Sequence, residues 1–192
     1  MSSPASDVLA VVEAAYHEHF EVTPARASVS FVGVDQIEIL RYSAGAATTY
    51  VSLGMSRYPM ADPTAAVVDA ERAPRAELLL SCREPGEHLW RALAVLAAAP
   101  AVEGAVYAAG NRVDLGEPLY AGARCTGGML TPAQLRPIAV PGMAEVNVLQ
   151  LLPATPNELA WARVHGSEAL IERWSVQAID LTDLARGSAD LG

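Results

Sequence analysis

Three consecutive segments decide the fold: Ser28-Val29-Ser30-Phe31-Val32, Gln36-Ile37-Glu38-Ile39-Leu40-Arg41-Tyr42 and Thr48-Thr49-Tyr50-Val51-Ser52-Leu53. The first two alternate polar with apolar side chains, the period of a strand with one buried face. Gly33-Val34-Asp35 supplies the turn between them, and Gly54 closes the third. Short strands joined in this way form an antiparallel meander.

Outward from the meander the period changes. Toward the N-terminus, Val8, Val12, Ala15 and Tyr16 recur at helical spacing, which with Ser6 as cap predicts a helix over 7–20. Toward the C-terminus, Pro59, Pro63 and Pro74 deny long regular structure to 54–75, a loop with room for one helical turn over Thr64–Val68. Glu77-Leu78-Leu79-Leu80-Ser81-Cys82 is an apolar run of strand length, as in a central strand covered on both faces. Leu89, Trp90, Leu93 and Leu96 set an apolar stripe on a helix over 87–99 that Pro100 ends. Glycines punctuate 101–145 and predict brief strands and turns. Val146 to Leu152 reads as a strand.

Thr155-Pro156-Asn157-Glu158 then combines a capping box with proline at the first helical position, so a helix begins at 156. Gly166 can end it in a left-handed conformation, and Ser167 can cap a second helix carrying Leu170 and Trp174. Residues 180–192 have room for one short helix before a frayed polar end. The expected architecture is a single α+β domain over residues 1–192, with a mixed, mostly antiparallel sheet packed by helices.

Composition narrows the function. Apolar residues make up 52% and charged residues 18%, which excludes a disordered chain. The net charge of −9 argues against nucleic acid as a ligand, because phosphate binding needs clustered cations. All 13 cations are arginines. Without lysine there is neither a Walker-type phosphate loop nor a lysine Schiff base. Cys82 and Cys125 are too few for a disulfide framework or a zinc knuckle. The N-terminus lacks a signal-peptide pattern and no apolar run reaches membrane-spanning length, so a cytoplasmic protein without membrane contact is expected.

The motifs that carry chemistry are sparse. His17 and His19 lie at i, i+2, which on a helix points the imidazoles about 200° apart. Gly54-Met55-Ser56-Arg57-Tyr58 is similar to a nucleophile elbow except that Tyr58 replaces the last glycine. Gly127-Gly128 lacks dinucleotide-binding spacing and reads as a turn. Trp90, Trp161 and Trp174 sit at core spacing. No catalytic residue, metal site or cofactor is therefore assigned. Surface anchors are expected on the irregular segment at Met55, Arg57, Tyr58 and Met60, since methionine, arginine and aromatic side chains on a loop suit an interface. The alternative is that Met55 and Tyr58 plug the core.

With these segments in place, the chain resembles the suppressor-of-fused domain family over nearly its whole length. Tyr50-Val51-Ser52-Leu53-Gly54-Met55-Ser56 with Tyr58-Pro59-Met60 carries the first part of the resemblance. The second part is Ala76-Glu77-Leu78-Leu79-Leu80, Trp90, the helix before Pro100, and Gly110-Asn111-Arg112-Val113-Asp114-Leu115-Gly116. Val148-Leu149-Gln150-Leu151-Leu152-Pro153 with Thr155, Glu158, Leu159, Gly166 and Leu170 forms the third. Two departures stand out: Asn111 where relatives often carry histidine, and Ser81-Cys82-Arg83-Glu84 in place of a proline-tryptophan segment.

The resemblance implies an α+β domain that binds other proteins and catalyses nothing. In animals such a domain restrains transcription factors of Hedgehog signalling, and bacterial members are associated with polymorphic toxin systems as immunity proteins. An acidic immunity protein masking a basic toxin domain is thus the leading expectation. Its rivals are a small hydrolase using Ser56 or a histidine-bound metal, and a subunit that assembles with further copies of itself as a homo-oligomer.

Overall fold

The meander forms as its alternation dictates. In this computed structural model, which describes residues 4–61, 64, 69, 71–86 and 88–192, β1 (Ala25–Phe31), β2 (Val34–Ala44) and β3 (Ala47–Leu53) pair antiparallel in sequence order. Val34 already belongs to β2, so the turn expected over 33–35 tightens by pairing Phe31 with Val34. β4 (Arg75–Cys82) continues the sheet antiparallel to β3. Its other neighbour is β7 (Val146–Ala154), which runs parallel to it. β6 (Gly127–Pro132) and β5 (Arg112–Asp114) complete a seven-stranded sheet in the order β1-β2-β3-β4-β7-β6-β5. β4, buried almost throughout, is the central strand that its apolar run predicts.

Alternation along the strands sorts the core onto two faces. Ile37, Ile39, Tyr50, Leu78 and Leu80 face α2 (Leu89–Glu103), together with Leu89, Leu93 and Leu96 of that helix. Leu40, Tyr42, Val51, Leu53 and Leu79 face α1 (Pro4–Phe20), from which Val8, Val12 and Tyr16 enter fully buried. α3 (Pro156–His165) and α4 (Ser167–Val176) pack around Met129, Ala154 and the buried Trp174. The α+β domain and its mixed, mostly antiparallel sheet are as the sequence implies. The Ser6 cap and the helical turn over Thr64–Val68 fall on side chains or residues outside those described.

Four local expectations are corrected. Pro100 does not end α2, which runs on to Glu103. Proline removes the N–H that would bond the carbonyl four residues back. The Tyr107 hydroxyl donates to that Leu96 carbonyl at 3.0 Å and replaces the missing bond. Gly127-Gly128 is not a turn but the start of β6, where a Cβ would lie 2.0 Å from the Val113 carbonyl oxygen and 2.2 Å from that of Leu152. Only glycine lets the neighbouring backbones approach so closely.

Ser167 does not cap α4; its hydroxyl donates to the Gly110 carbonyl at 2.6 Å and ties the helix to the turn before β5. Residues 180–192 form no helix and do not fray. Leu184 and Ala189 are buried, and the Leu184 carbonyl accepts from the amides of Arg124 and Cys125. The capping box at Thr155 and Glu158 is present as read.

Candidate functional site

The segment that the sequence singles out leaves β3 through Gly54, whose φ of 141° lies in the region favoured by glycine. Met55–Arg57 then makes one 3-10 turn. Its shape is set from beneath by β4. The Glu77 carboxylate is fully buried and accepts from the amides of Gly54 and Ser56, both at 2.9 Å, from the Ser56 hydroxyl at 2.6 Å, and from the Ser52 hydroxyl. Arg75, also buried, donates to the Ser56 carbonyl at 2.8 Å and the Arg57 carbonyl at 3.0 Å. Two charged side chains from one strand therefore fix the backbone of the turn on donor and acceptor sides alike.

This bracing divides the four expected anchors. Met55 and Met60 point inward and are buried against α2, with the Met60 sulfur accepting from the Tyr107 amide at 3.4 Å. Tyr58 points outward with 54% of its surface exposed. Its hydroxyl donates to Asp35 at 2.7 Å, and Arg57 approaches the same carboxylate at 3.8 Å. Bonding to Asp35 raises the Tyr58 pKa, so the hydroxyl stays a donor. Of the two residues given as core plugs, Met55 fills that role and Tyr58 does not. Val34, Asp35 and Ala101 border Tyr58, and the fully exposed Val32 stands at the adjoining turn. Asp35 had no signal beyond its turn position, whereas Glu77, a carboxylate at the head of an apolar run, is the signal that a braced loop leaves in sequence.

The other candidate chemistry disperses. Ser56 is fully buried with its hydroxyl committed to Glu77, so no substrate reaches it. His17 sits 3.5 Å from Glu13, while His19 packs edge-on against Phe20. Among the described residues no three His, Cys, Asp or Glu side chains group as metal ligands. Burial pushes the Cys82 and Cys125 thiols up to about 11, which keeps them protonated. No helix among the described residues is long and apolar enough to cross a membrane.

A second buried carboxylate, Glu158, closes the far end of the molecule. It accepts from Arg186 at 2.7 and 3.0 Å, from the Trp174 indole at 2.8 Å and from the amides of Thr155 and Ala189 at 2.8 and 2.9 Å. Burial alone would raise its pKa, but Arg186 and these donors together hold it below the ordinary value. Like Glu77, it is spent on holding backbone in place.

The architecture is shared with known folds. A suppressor-of-fused homologue from Neisseria gonorrhoeae superposes with a TM-score of 0.70 at 17% identity, over 95% of this chain and 97% of that one. Sufu from a Sufu–Fu complex gives 0.64 at 14% identity, over 96% of this chain and 89% of that one. Drosophila Suppressor of Fused gives 0.62 at 12% identity, and this chain, 96% covered, spans 49% of its length. No curated protein matches the chain in sequence. The family model described as suppressor of fused protein matches residues 33–187, from the turn of the first hairpin to the residue after Arg186, which closes on Glu158. With most of its length inside that match and the same fold throughout, this chain belongs to the suppressor-of-fused family.

Proposed function

We propose that the chain is a non-catalytic, cytoplasmic protein-binding domain, and that it serves as an immunity protein covering a basic toxin domain. One observation carries this reading: Tyr58 is an exposed aromatic on a turn whose backbone Glu77 and Arg75 hold in place. An anchor fixed before contact loses little conformational entropy on binding. Arg57 and Tyr58 are the residues we assign to the contact, with Asp35 beside them, while Met55 and Met60 support the turn from inside. A relative seen in complex with Fu favours protein binding as the mode of action. The net charge of −9 would steer a basic partner toward the surface, and association would slow as salt rises.

The test is co-expression with the C-terminal domain of a large secreted toxin encoded beside this gene. A complex of one chain to one toxin domain is expected, and Tyr58→Ala weakens it by about thirtyfold, the loss of roughly 2 kcal/mol typical of an aromatic anchor. A complex indifferent to Tyr58→Ala removes the assigned contact, and no complex at all removes the immunity role. Stoichiometric zinc in the purified protein, or a hydrolytic activity abolished by His17→Ala or Ser56→Ala, would overturn the non-catalytic reading.

A further inference from the structure

The two edges of the sheet differ. β5 is three residues long, whereas β1 presents seven residues at the other end, with β2 along one side and no strand along the other among the described residues. A long open edge is a template for an added strand. Beneath it, on the α2 face, lies a cavity of about 240 Å³ lined by Ala25, Arg26, Ala27, Ile39, Arg41, Tyr50 and Trp90. It exists because two β1 positions facing α2 carry only methyl groups where larger side chains would fill the space.

The charges at this cavity are unbalanced. Arg26, itself part of the lining, is neutralised by Glu13 and Glu38. Arg41 is exposed and makes no ion pair among the described residues. Arg91 lies over the Trp90 ring, 5.1 Å from its centroid, which adds a second positive charge beside the aromatic wall. In a chain of net charge −9, a cavity with arginine at its mouth and alanine and tryptophan along its sides fits a short apolar stem ending in a carboxylate.

We propose that the outer edge of β1 takes up an extended segment of a partner protein as an eighth strand, with a glutamate of that segment seated in the cavity against Arg41. Backbone hydrogen bonds along β1 supply affinity, and the cavity fixes the register, since a slip of one residue would turn the glutamate to the opposite face. β1 runs from this cavity to the Val32 turn beside Tyr58, so the added strand would continue the surface assigned to Arg57 and Tyr58. The inference rests on the protein-binding reading and names the chemistry of the partner segment.

The test is an NMR titration of the full 15N-labelled chain with the capped heptapeptide Thr-Val-Thr-Glu-Thr-Val-Thr. Shifts confined to the amides of 25–31 and the Trp90 indole are expected, with binding about tenfold weaker when glutamine replaces the glutamate. In Arg41→Gln the two peptides should bind equally, and methylating alternate peptide amides should abolish binding. No shifts at 25–31, or equal binding of both peptides to the unaltered chain, would overturn the proposal. So would protection of those amides that rises with protein concentration in the absence of peptide, since a second copy would then own the edge. Loss of the toxin complex without loss of peptide binding would count against the toxin alone; the converse would count against the edge alone.

Discussion

At the scale of single residues, the two buried glutamates hold more than their own helix or strand. Glu77→Ala leaves the amides of Gly54 and Ser56 and the hydroxyls of Ser52 and Ser56 facing an apolar hole. A loss of about 3–5 kcal/mol in urea unfolding is expected, because the donors lose both partner and solvent. Glu158 carries a pH signature. Its folded pKa lies below the ordinary 4.5, so its stabilisation is complete above that value and is lost as pH falls through the folded pKa. The urea midpoint should therefore drop as pH is lowered below about 4.5, and Glu158→Gln should flatten that part of the profile at the cost of lower stability at pH 7. Tyr58, held by Asp35 rather than by the core, should tolerate replacement by alanine with less than about 0.5 kcal/mol of stability lost, which lets its effect on binding be read cleanly.

Among the elements, α2 makes the sharpest test, because a proline in its last turns is answered by a side chain outside the helix. Tyr107→Phe removes the donor to the Leu96 carbonyl and should cost about 1–2 kcal/mol, with faster amide exchange near the helix end. Pro100→Ala restores a backbone donor to the same carbonyl. In that background Tyr107→Phe should be nearly neutral, so a double-mutant cycle yields coupling of about 1 kcal/mol. Coupling near zero would separate the two residues. The capping box of α3 was readable from Thr155-Pro156-Asn157-Glu158, since each of its bonds joins neighbours in the chain. Continuation past Pro100 was not, because its compensating donor stands outside the helix and is identified only by where it packs. Gly127-Gly128 misled for a similar reason: what demands glycine there is the carbonyl oxygens of β5 and β7, not a turn.

For the whole molecule, the last residues act as a clasp. Arg83 meets Asp180 and Asp183, Leu184 enters the α2-side core, and Arg186 covers Glu158. Ending the chain after residue 181 would leave the Glu158 charge buried without Arg186 and without the Ala189 amide. A loss of at least about 3 kcal/mol in urea unfolding is expected, large against the usual stability of one domain.

The meander, the central strand, the capped helix and the α+β class can all be read along the chain, because each rests on the repeat of apolar side chains or on bonds between near neighbours. The sequence also marked 55–60 as the segment to watch. Three-dimensional packing is what turns Met55 and Met60 inward and Tyr58 out, sets β4 parallel to β7, and leaves β1 open above a cavity. Those outcomes depend on which distant backbones and charges come together, as Glu77 does with Gly54 and Arg186 with Glu158, and such meetings leave no period in the chain.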